Sequence, residues 1–568
     1  MRRTASTPLV YLPLIMPYDE PASFSFPAEC ATTLGGVAAF ILLAALPIAV
    51  LLTWLTVVLY RRQVARVMRQ VSAGGSVSAE PARRAGTTAP TALLQIETVG
   101  DSAAPTSAPL ERFTAHGVRR AGFAYAVAGL AHALIATVLT FVFGDIELTP
   151  LRVFAVWLLY AWPVIPTLLL TSVNDNRAKW AWMIGYFTLV LVFDFALSAL
   201  GLREAGGESL ALVWLIWMGP PTLLLWVLSN RAWRSVGLLA YLVAIALVAA
   251  WLLATQGLGC LALALNDVSL WLDYRWIVLG TLVAAMLGGA WWLLRRIAAR
   301  YRDKRISDQS LTLDSWWLVI TLIDMVIQLD STQGASASFV FAYLAYKWLS
   351  RTLQRPAATQ ARPASLLLLR VFGHRRRSRR LLDQLSQRWR NAGPISLIGA
   401  PDLAATNLEP DELIQFWGLR MRGLFVASDE DLRNRLERFD ARPDPDGRYR
   451  VNEFFCYDNT WRATVRALAR RSDAVLMDLR GFGKNNLGCE FELGLLLAEV
   501  SLAKVVLLTD ETTQVDQLTE LLQTLWSRLP PDSVNRSLPK PVIRRFHATG
   551  ALHSLRPLLR TLAATVAN

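Results

Sequence analysis

The first 355 residues are dominated by long apolar runs, and nothing else in the chain restricts its fold as strongly. Such runs lie at 35–60, 121–143, 151–170, 180–200, 210–228, 236–254, 276–294, 314–329 and 338–349. About 17 to 25 apolar residues suffice to cross a hydrocarbon core about 30 Å thick. The spacing therefore predicts nine spans, the last two short. Loop charge tests the threading, because Lys and Arg collect on the cytoplasmic side. Arg119 and Arg120, Arg177 and Lys179, Arg231 and Arg234, the run 295–305, and Arg351 with Arg355 all fall on one side. The other side holds Asp145 and Glu147, Arg203 with Glu204 and Glu208, and Asp330; Arg2, Arg3 and Arg152 are the exceptions. The expected topology is a multi-pass protein of the inner (plasma) membrane, with its amino terminus outside and its carboxyl-terminal domain in the cytoplasm.

Composition agrees with a bilayer partner. Hydrophobic residues make up 54% of 568, too many for a wholly soluble chain, and the 21 tryptophans suit the belts at a membrane interface. A net charge of +14 raises nucleic acid as a partner, but many of the arginines flank apolar runs, where they orient helices and meet anionic lipid. Nucleic acid is not an expected partner. The four cysteines, Cys30, Cys260, Cys456 and Cys489, show neither a disulfide framework nor metal-ligand spacing, and no metal is expected.

The segments between these landmarks divide the chain. Residues 1–33 read as a short extracytoplasmic tail and 34–60 as the first transmembrane helix. Residues 61–117, rich in Ala, Ser, Thr, Pro and Gly from 71 onward, read as a disordered cytoplasmic loop. Within it, 93–96 is either a short docking element or a chance apolar cluster. Residues 118–355 form the multi-span helical domain. Asn266, Asp267 and Asp273 interrupt 256–274, which reads as an external loop, with or without an interfacial helix. Ionisable groups inside spans, here His132, Asp194 and Asp324, are either parts of a transport path or interhelical hydrogen-bond partners. Pro163, Pro166, Pro220 and Pro221 are candidate helix breaks.

After Arg355 and Pro356 a short linker leads to 365, and the pattern changes. Short apolar strands at 365–372, 395–398, 473–478, 504–510 and 542–547 alternate with amphipathic helical runs, and 448–456 reads as extended. That alternation predicts a cytosolic doubly wound α/β domain over 365–568 with a flavodoxin-like parallel sheet. Ligands in such folds sit at the carboxyl ends of strands, here 478–483 and Asp510. Glu490 and Glu492 open the helix between these two strands. Two positions apart on a helix, they face nearly opposite directions and cannot form a carboxylate pair. No phosphate loop of P-loop or dinucleotide-fold type is present, so ATPase and dehydrogenase readings fall away.

Three stretches of this domain carry a family resemblance: Arg370-Val371-Phe372, the run Ser-Asp-Ala-Val-Leu-Met-Asp-Leu at 472–479, and Cys489-Glu490-Phe491-Glu492-Leu493-Gly494. The domain resembles the TIR-like group that includes the nucleoside deoxyribosyltransferases. The resemblance spans 365–568. It implies Glu492 as the catalytic carboxylate and cleavage of the N-glycosidic bond of NAD or a related nucleotide. It also implies no cofactor beyond NAD as substrate, action as a homo-oligomer, and a role in signalling or defence. Two departures stand out: 402–459 is longer than the usual link after the second strand, and no tryptophan precedes Cys489.

A carboxylate suits such chemistry because it can bind ribose hydroxyls, stabilise an oxocarbenium-like centre, or attack it directly. The alternative is that Glu492 merely complements the helix dipole. Phe372, Gly373 and His374 leave the first strand, and Gly399 to Asp402 leave the second, so both border the expected nucleotide site. Arg480 is placed to pair with a phosphate, or simply with Asp478; Phe482 is placed to stack on a base, or to pack in the core. His374 beside Arg375, Arg376 and Arg377 reads equally as a solvated or lipid-facing patch. Two further function classes stay open: a non-catalytic nucleotide-binding or self-association module, and a transporter with a regulatory cytosolic domain.

Overall fold

The computed structural model describes residues 34–68, 92–99, 116–144, 147–172, 176–199, 224–225, 227, 231–252, 254–255, 268–328, 335–354, 362–371, 375–399, 408–439, 441–483, 486–548 and 555–567. Among the described residues, nine helices precede the main sheet domain: α1 (Leu34–Met68), α2 (His116–Phe143), α3 (Pro150–Ala161), α4 (Val164–Ser172), α5 (Asn176–Ala199), α6 (Arg231–Leu252), α7 (Val268–Arg302), α8 (Asp308–Ile327) and α9 (Phe339–Leu353). Among the described residues, four stretches are long and apolar enough to cross a membrane: Phe40–Met68, Arg119–Phe143, Pro150–Ser172 and Tyr274–Arg302. The third is interrupted at Trp162 and Pro163, where α3 gives way to α4, because proline cannot donate to the preceding turn. Large aromatic side chains fill the bundle. Trp316, Trp317, Tyr125 and Tyr346 are all essentially inaccessible, and Trp317 lies 5.1 Å from Tyr346 between ring centroids.

The bundle departs from the sequence reading at 268–274. These residues are helical, as the interfacial-helix alternative allowed, but they form the first turns of α7 itself: the one aspartate among them, Asp273, does not stop a helix that runs on through the apolar 276–294.

The other departure lies in 61–117. Gln95–Val99 forms a strand, β1, instead of belonging to a disordered loop. It joins the sheet parallel to the last strand, with Gln95 opposite Val542 and Val99 opposite Phe546. Trp526 Nε1 donates to the Ala92 carbonyl at 2.8 Å and Gln523 Nε2 to the Leu94 carbonyl at 2.9 Å, so the preceding residues are fixed as well. An edge position supplies the hydrogen bonds that its own composition cannot.

Among the described residues the sheet has eight strands, all parallel: β1, β2 (Leu366–Arg370), β3 (Ile395–Gly399), β4 (Phe425–Val426), β5 (Val451–Cys456), β6 (Ala474–Asp478), β7 (Val505–Thr509) and β8 (Val542–His547). Their order is β1-β8-β7-β6-β2-β3-β5-β4. Helices cover both faces: α10 (Arg375–Trp389) and α16 (Arg556–Ala567) on one, and α12 (Asp429–Glu437), α13 (Trp461–Arg471), α14 (Leu487–Glu499) and α15 (Val515–Ser527) on the other. The strands alternate accordingly. Leu367, Leu369, Val475 and Met477 face the second layer, while Leu366, Leu368, Ala474 and Leu476 face the first. Near-continuous apolar strands of this kind are buried on both faces. From β2 the chain builds outward to β3 on one side and, later, to β6 on the other, which makes the carboxyl ends of β2 and β6 the topological switch point.

The long 402–459 segment supplies α11 (Pro410–Trp417), β4, α12 and β5. Its apolar side chains merge with those of the helical bundle. Leu408, Leu413, Met421, Phe425, Phe455 and Tyr457 share one cluster with Val57, Tyr60 and Val64 of α1, Val236 of α6 and Leu294 of α7.

Candidate functional site

The site is built where β2 and β6 end together. β2 is four leucines closed by one arginine, and Arg370 stands opposite Asp478, the last residue of β6. Both side chains are buried. Asp478 takes two hydrogen bonds from the Arg480 guanidinium, Nε to Oδ1 and Nη2 to Oδ2, each 2.7 Å. The chain then turns away through Gly481 at φ +80°, a conformation that favours glycine. Arg480 is therefore the partner of Asp478.

α14 then delivers Glu492. Asn486 holds the start of the helix, accepting from the Gly483 amide at 2.9 Å through its side chain and from the Cys489 amide at 2.9 Å through its carbonyl. Cys489, Glu492, Leu493 and Leu496 are buried, which is the i, i+3, i+4, i+7 stripe of a core-facing helix, whereas Glu490 is exposed. The opposed faces expected for the two glutamates are present. Glu492 is only 2% exposed, and its Oε2 accepts no hydrogen bond among the described residues. Burial pushes its carboxyl up to about 8, against the opposing pull of the Arg370 charge. Burial, together with the charges of Glu492 and Asp478, pushes the Cys489 thiol up to about 12, so Cys489 is a neutral thiol rather than a nucleophile. Arg370, Asp478, Cys489 and Glu492 thus form one electrostatic corner.

β7 contributes a second polar group at the same edge. Asp510 accepts from the Thr512 amide at 2.9 Å, and Arg377, from the first turn of α10, reaches Asp510 at 3.5 Å and the Thr512 hydroxyl at 2.9 Å.

The other sequence-predicted residues divide. Phe482 packs in the core at 5% exposure, leaving no open ring face for a base. Gly399 is buried beneath Phe455: a Cβ there would lie 2.8 Å from the Phe455 ring, so close packing is what requires glycine. Phe372, Gly373, His374 and Asp402 lie outside the described residues. The sequence reading missed Arg370 as a site residue, and Arg377 with Thr512. Arg370 had a visible signal, a lone charge closing an all-leucine strand.

Two cavities lie away from this corner. One, of about 280 Å³, opens at the amino-terminal edge of the sheet beside Arg362, Ser365, Ser396, Arg471 and Asp473. The other, of about 490 Å³, is an apolar cleft between α2 and α3 beside Leu134, Phe154 and Trp157. Neither contains a residue of the β2–β6 corner, and neither brings together groups able to do bond chemistry. Among the described residues no group of three or more His, Cys, Asp or Glu could hold a metal ion.

In the bundle, His132 Nε2 pairs with Thr321 Oγ1 at 2.9 Å, and its ring lies 5.0 Å from that of Trp317. It is an interhelical hydrogen-bond partner between α2 and α8. Asp324, one turn beyond Thr321, is buried, and its Oδ2 has no hydrogen-bond partner among the described residues. The Asp194 side chain lies outside the described part.

Compared with protein-family models, curated proteins and solved structures, the chain matches none.

Proposed function

We propose that this chain is a membrane-anchored TIR-like effector or signalling protein that cleaves the N-glycosidic bond of NAD or a related nucleotide at Glu492. The observation carrying this reading is the Glu492 carboxyl itself, with Oε2 unpartnered among the described residues, buried at the switch point and under the charge of Arg370. A buried carboxyl without its full set of partners costs folding energy, which a role at a developing positive charge explains. The order β3-β2-β6-β7-β8 supports a flavodoxin-like domain, with β4 and β5 added at one edge and β1 at the other. The nine-pass reading gains support from the helix ends that meet the sheet domain. These are the carboxyl ends of α1 and α7 and the amino ends of α6 and α8, as alternation requires. An inner-membrane location with the amino terminus outside rests on the loop charges. Homo-oligomerisation, with a role in defence, rests on the family resemblance.

The test uses the full chain in lipid nanodiscs, following NAD loss and nicotinamide release beside Glu492→Gln. Cleavage by the parent and not by the variant establishes a glycosidic-bond enzyme. Cleavage by neither sinks the catalytic reading and favours a binding module. That second reading has one observation of its own: at 2% exposure, Glu492 meets a substrate only if neighbouring side chains move aside.

A further inference from the structure

Among the described residues, α1 and α7 are the longest helices. α1 and α7 each have 35 residues, about 52 Å of helix against a hydrocarbon core of about 30 Å. Their surplus lengths end in the 402–459 insertion, and the contacts there are directional. Tyr60 of α1, fully buried, donates to Glu412 Oε2 at 3.1 Å, and its ring meets Phe416 edge-on at 5.7 Å. Tyr301 of α7 donates to Asp308 Oδ1 at 3.0 Å and to Glu409 Oε1 at 3.4 Å. The Arg450 guanidinium lies 3.8 Å over the Tyr301 ring, donates to the Tyr301 carbonyl at 2.6 Å, and is held by Asp444 at 2.9 Å. Arg448, paired with Asp446 at 2.9 Å, donates to Gln309, and Lys304 donates to the Arg442 carbonyl.

The same insertion touches the sheet where the site begins. Phe455, in the cluster that holds α1 and α7, packs its ring over Gly399 and is that residue's partner across β5 and β3. β3 pairs in turn with β2, which ends in Arg370. From Tyr60 and Tyr301 to Arg370, each step is a packed side chain or a strand ladder.

We propose that the 402–459 insertion is a transmission joint, through which a change in tilt of α1 and α7 in the bilayer is conveyed along β5 and β3 to the carboxyl edge of the sheet. The stimulus is the membrane. Mismatch acts on the hydrophobic stretch of a helix: the apolar run of α1, residues 35–60, is about 39 Å long and tilts where the hydrocarbon is thinner, and α1 and α7 end in one close-packed cluster that transmits displacement. Burial, reinforced by the charges of Glu409 and Glu453, holds the Glu412 carboxyl well above its ordinary range, which favours a neutral acid that glutamine mimics. This inference does not depend on the reaction at Glu492.

The test is amide hydrogen exchange of the full chain in nanodiscs of short-chain and of long-chain lipids. The parent is expected to show exchange in β5 and β3 that differs by about threefold or more between the two bilayers. Glu412→Gln, which keeps an acceptor for Tyr60, is expected to retain the difference. Glu412→Ala combined with Tyr60→Phe is expected to lose it while β7 stays protected. If the double variant also loses β7 protection, Tyr60→Phe alone decides, since it deletes one hydroxyl from a ring that stays buried. Equal exchange of the parent in both bilayers overturns the proposal, as does a difference that survives in the uncoupled variant.

Discussion

At the scale of single residues, Glu492 has the strongest consequence for behaviour. Its folded carboxyl titrates near 8, against 4.5 for an unperturbed glutamate, so between those values the folded chain holds a proton that the unfolded chain has released. Stability from this group is therefore greatest at the acid end of the window and declines as pH rises toward 8, by at most about 1.4 kcal/mol per unit of difference. Glu492→Gln removes the dependence. The variant is expected to melt higher than the parent near pH 8, with the gap closing toward roughly pH 5. Thermal unfolding of the full chain across that range checks this, and a gap independent of pH refutes it. If the ionised carboxylate performs the cleavage proposed above, NAD turnover rises with pH through the same interval. The helical stripe of Cys489, Glu492, Leu493 and Leu496 could be read directly from the sequence. The meeting of Glu492 with Arg370 could not, because strand order, which no local pattern encodes, is what puts β2 beside β6.

At the scale of elements, legibility followed the strength of the local signal. β2, β6 and β7 are near-unbroken apolar runs and were plain, as were the carboxyl ends at 478–483 and Asp510; the switch point needed the strand order. β1 is Gln-Ile-Glu-Thr-Val in a stretch of small and polar residues, and β-propensity spans only about 1 kcal/mol, too little to mark a strand without its partner. That partner is β8, far along the chain, where Arg545 Nη2 also reaches the Thr98 hydroxyl at 2.8 Å. Phe482 and Gly399 misled in the opposite direction, since a loop aromatic and a loop glycine read alike whether they meet a ligand or the core. The pairing of β1 makes a sharp prediction. The Gln95 amide donates to the Pro541 carbonyl at 2.8 Å, and the next donor facing β8 in a parallel ladder is two residues on. Glu97→Pro is expected to unzip β1, raise exchange of the β8 amides by about tenfold or more, and expose Trp526. Hydrogen exchange and tryptophan fluorescence check it; unchanged β8 protection shows that the edge strand contributes nothing.

At the scale of the whole molecule, the sheet domain is not a bead on a tether. Its sheet takes an outer strand from residues that precede most of the apolar helices, and its β4–β5 edge shares an apolar cluster with α1, α6 and α7. Covalent order suggests a cut near residue 365, but the packing argues against it. A fragment of 365–568 lacks β1, leaving the backbone of β8 as an open edge, and uncovers Leu408, Leu413, Phe425 and Phe455, all buried in the full chain. It also strands Glu412 without Tyr60, and Arg450 without the ring and carbonyl of Tyr301. Expressed alone, this fragment is expected to aggregate, or to melt well below the same domain within the full chain. Supplying a peptide of residues 92–99 is expected to restore β8 protection without restoring solubility, because the exposed joint remains. Light scattering and hydrogen exchange on the fragment, with and without the peptide, separate the two contributions. A fragment that is monomeric and as stable as the intact domain would mean that the joint is a passive contact, and would remove the structural basis for communication between bilayer and site.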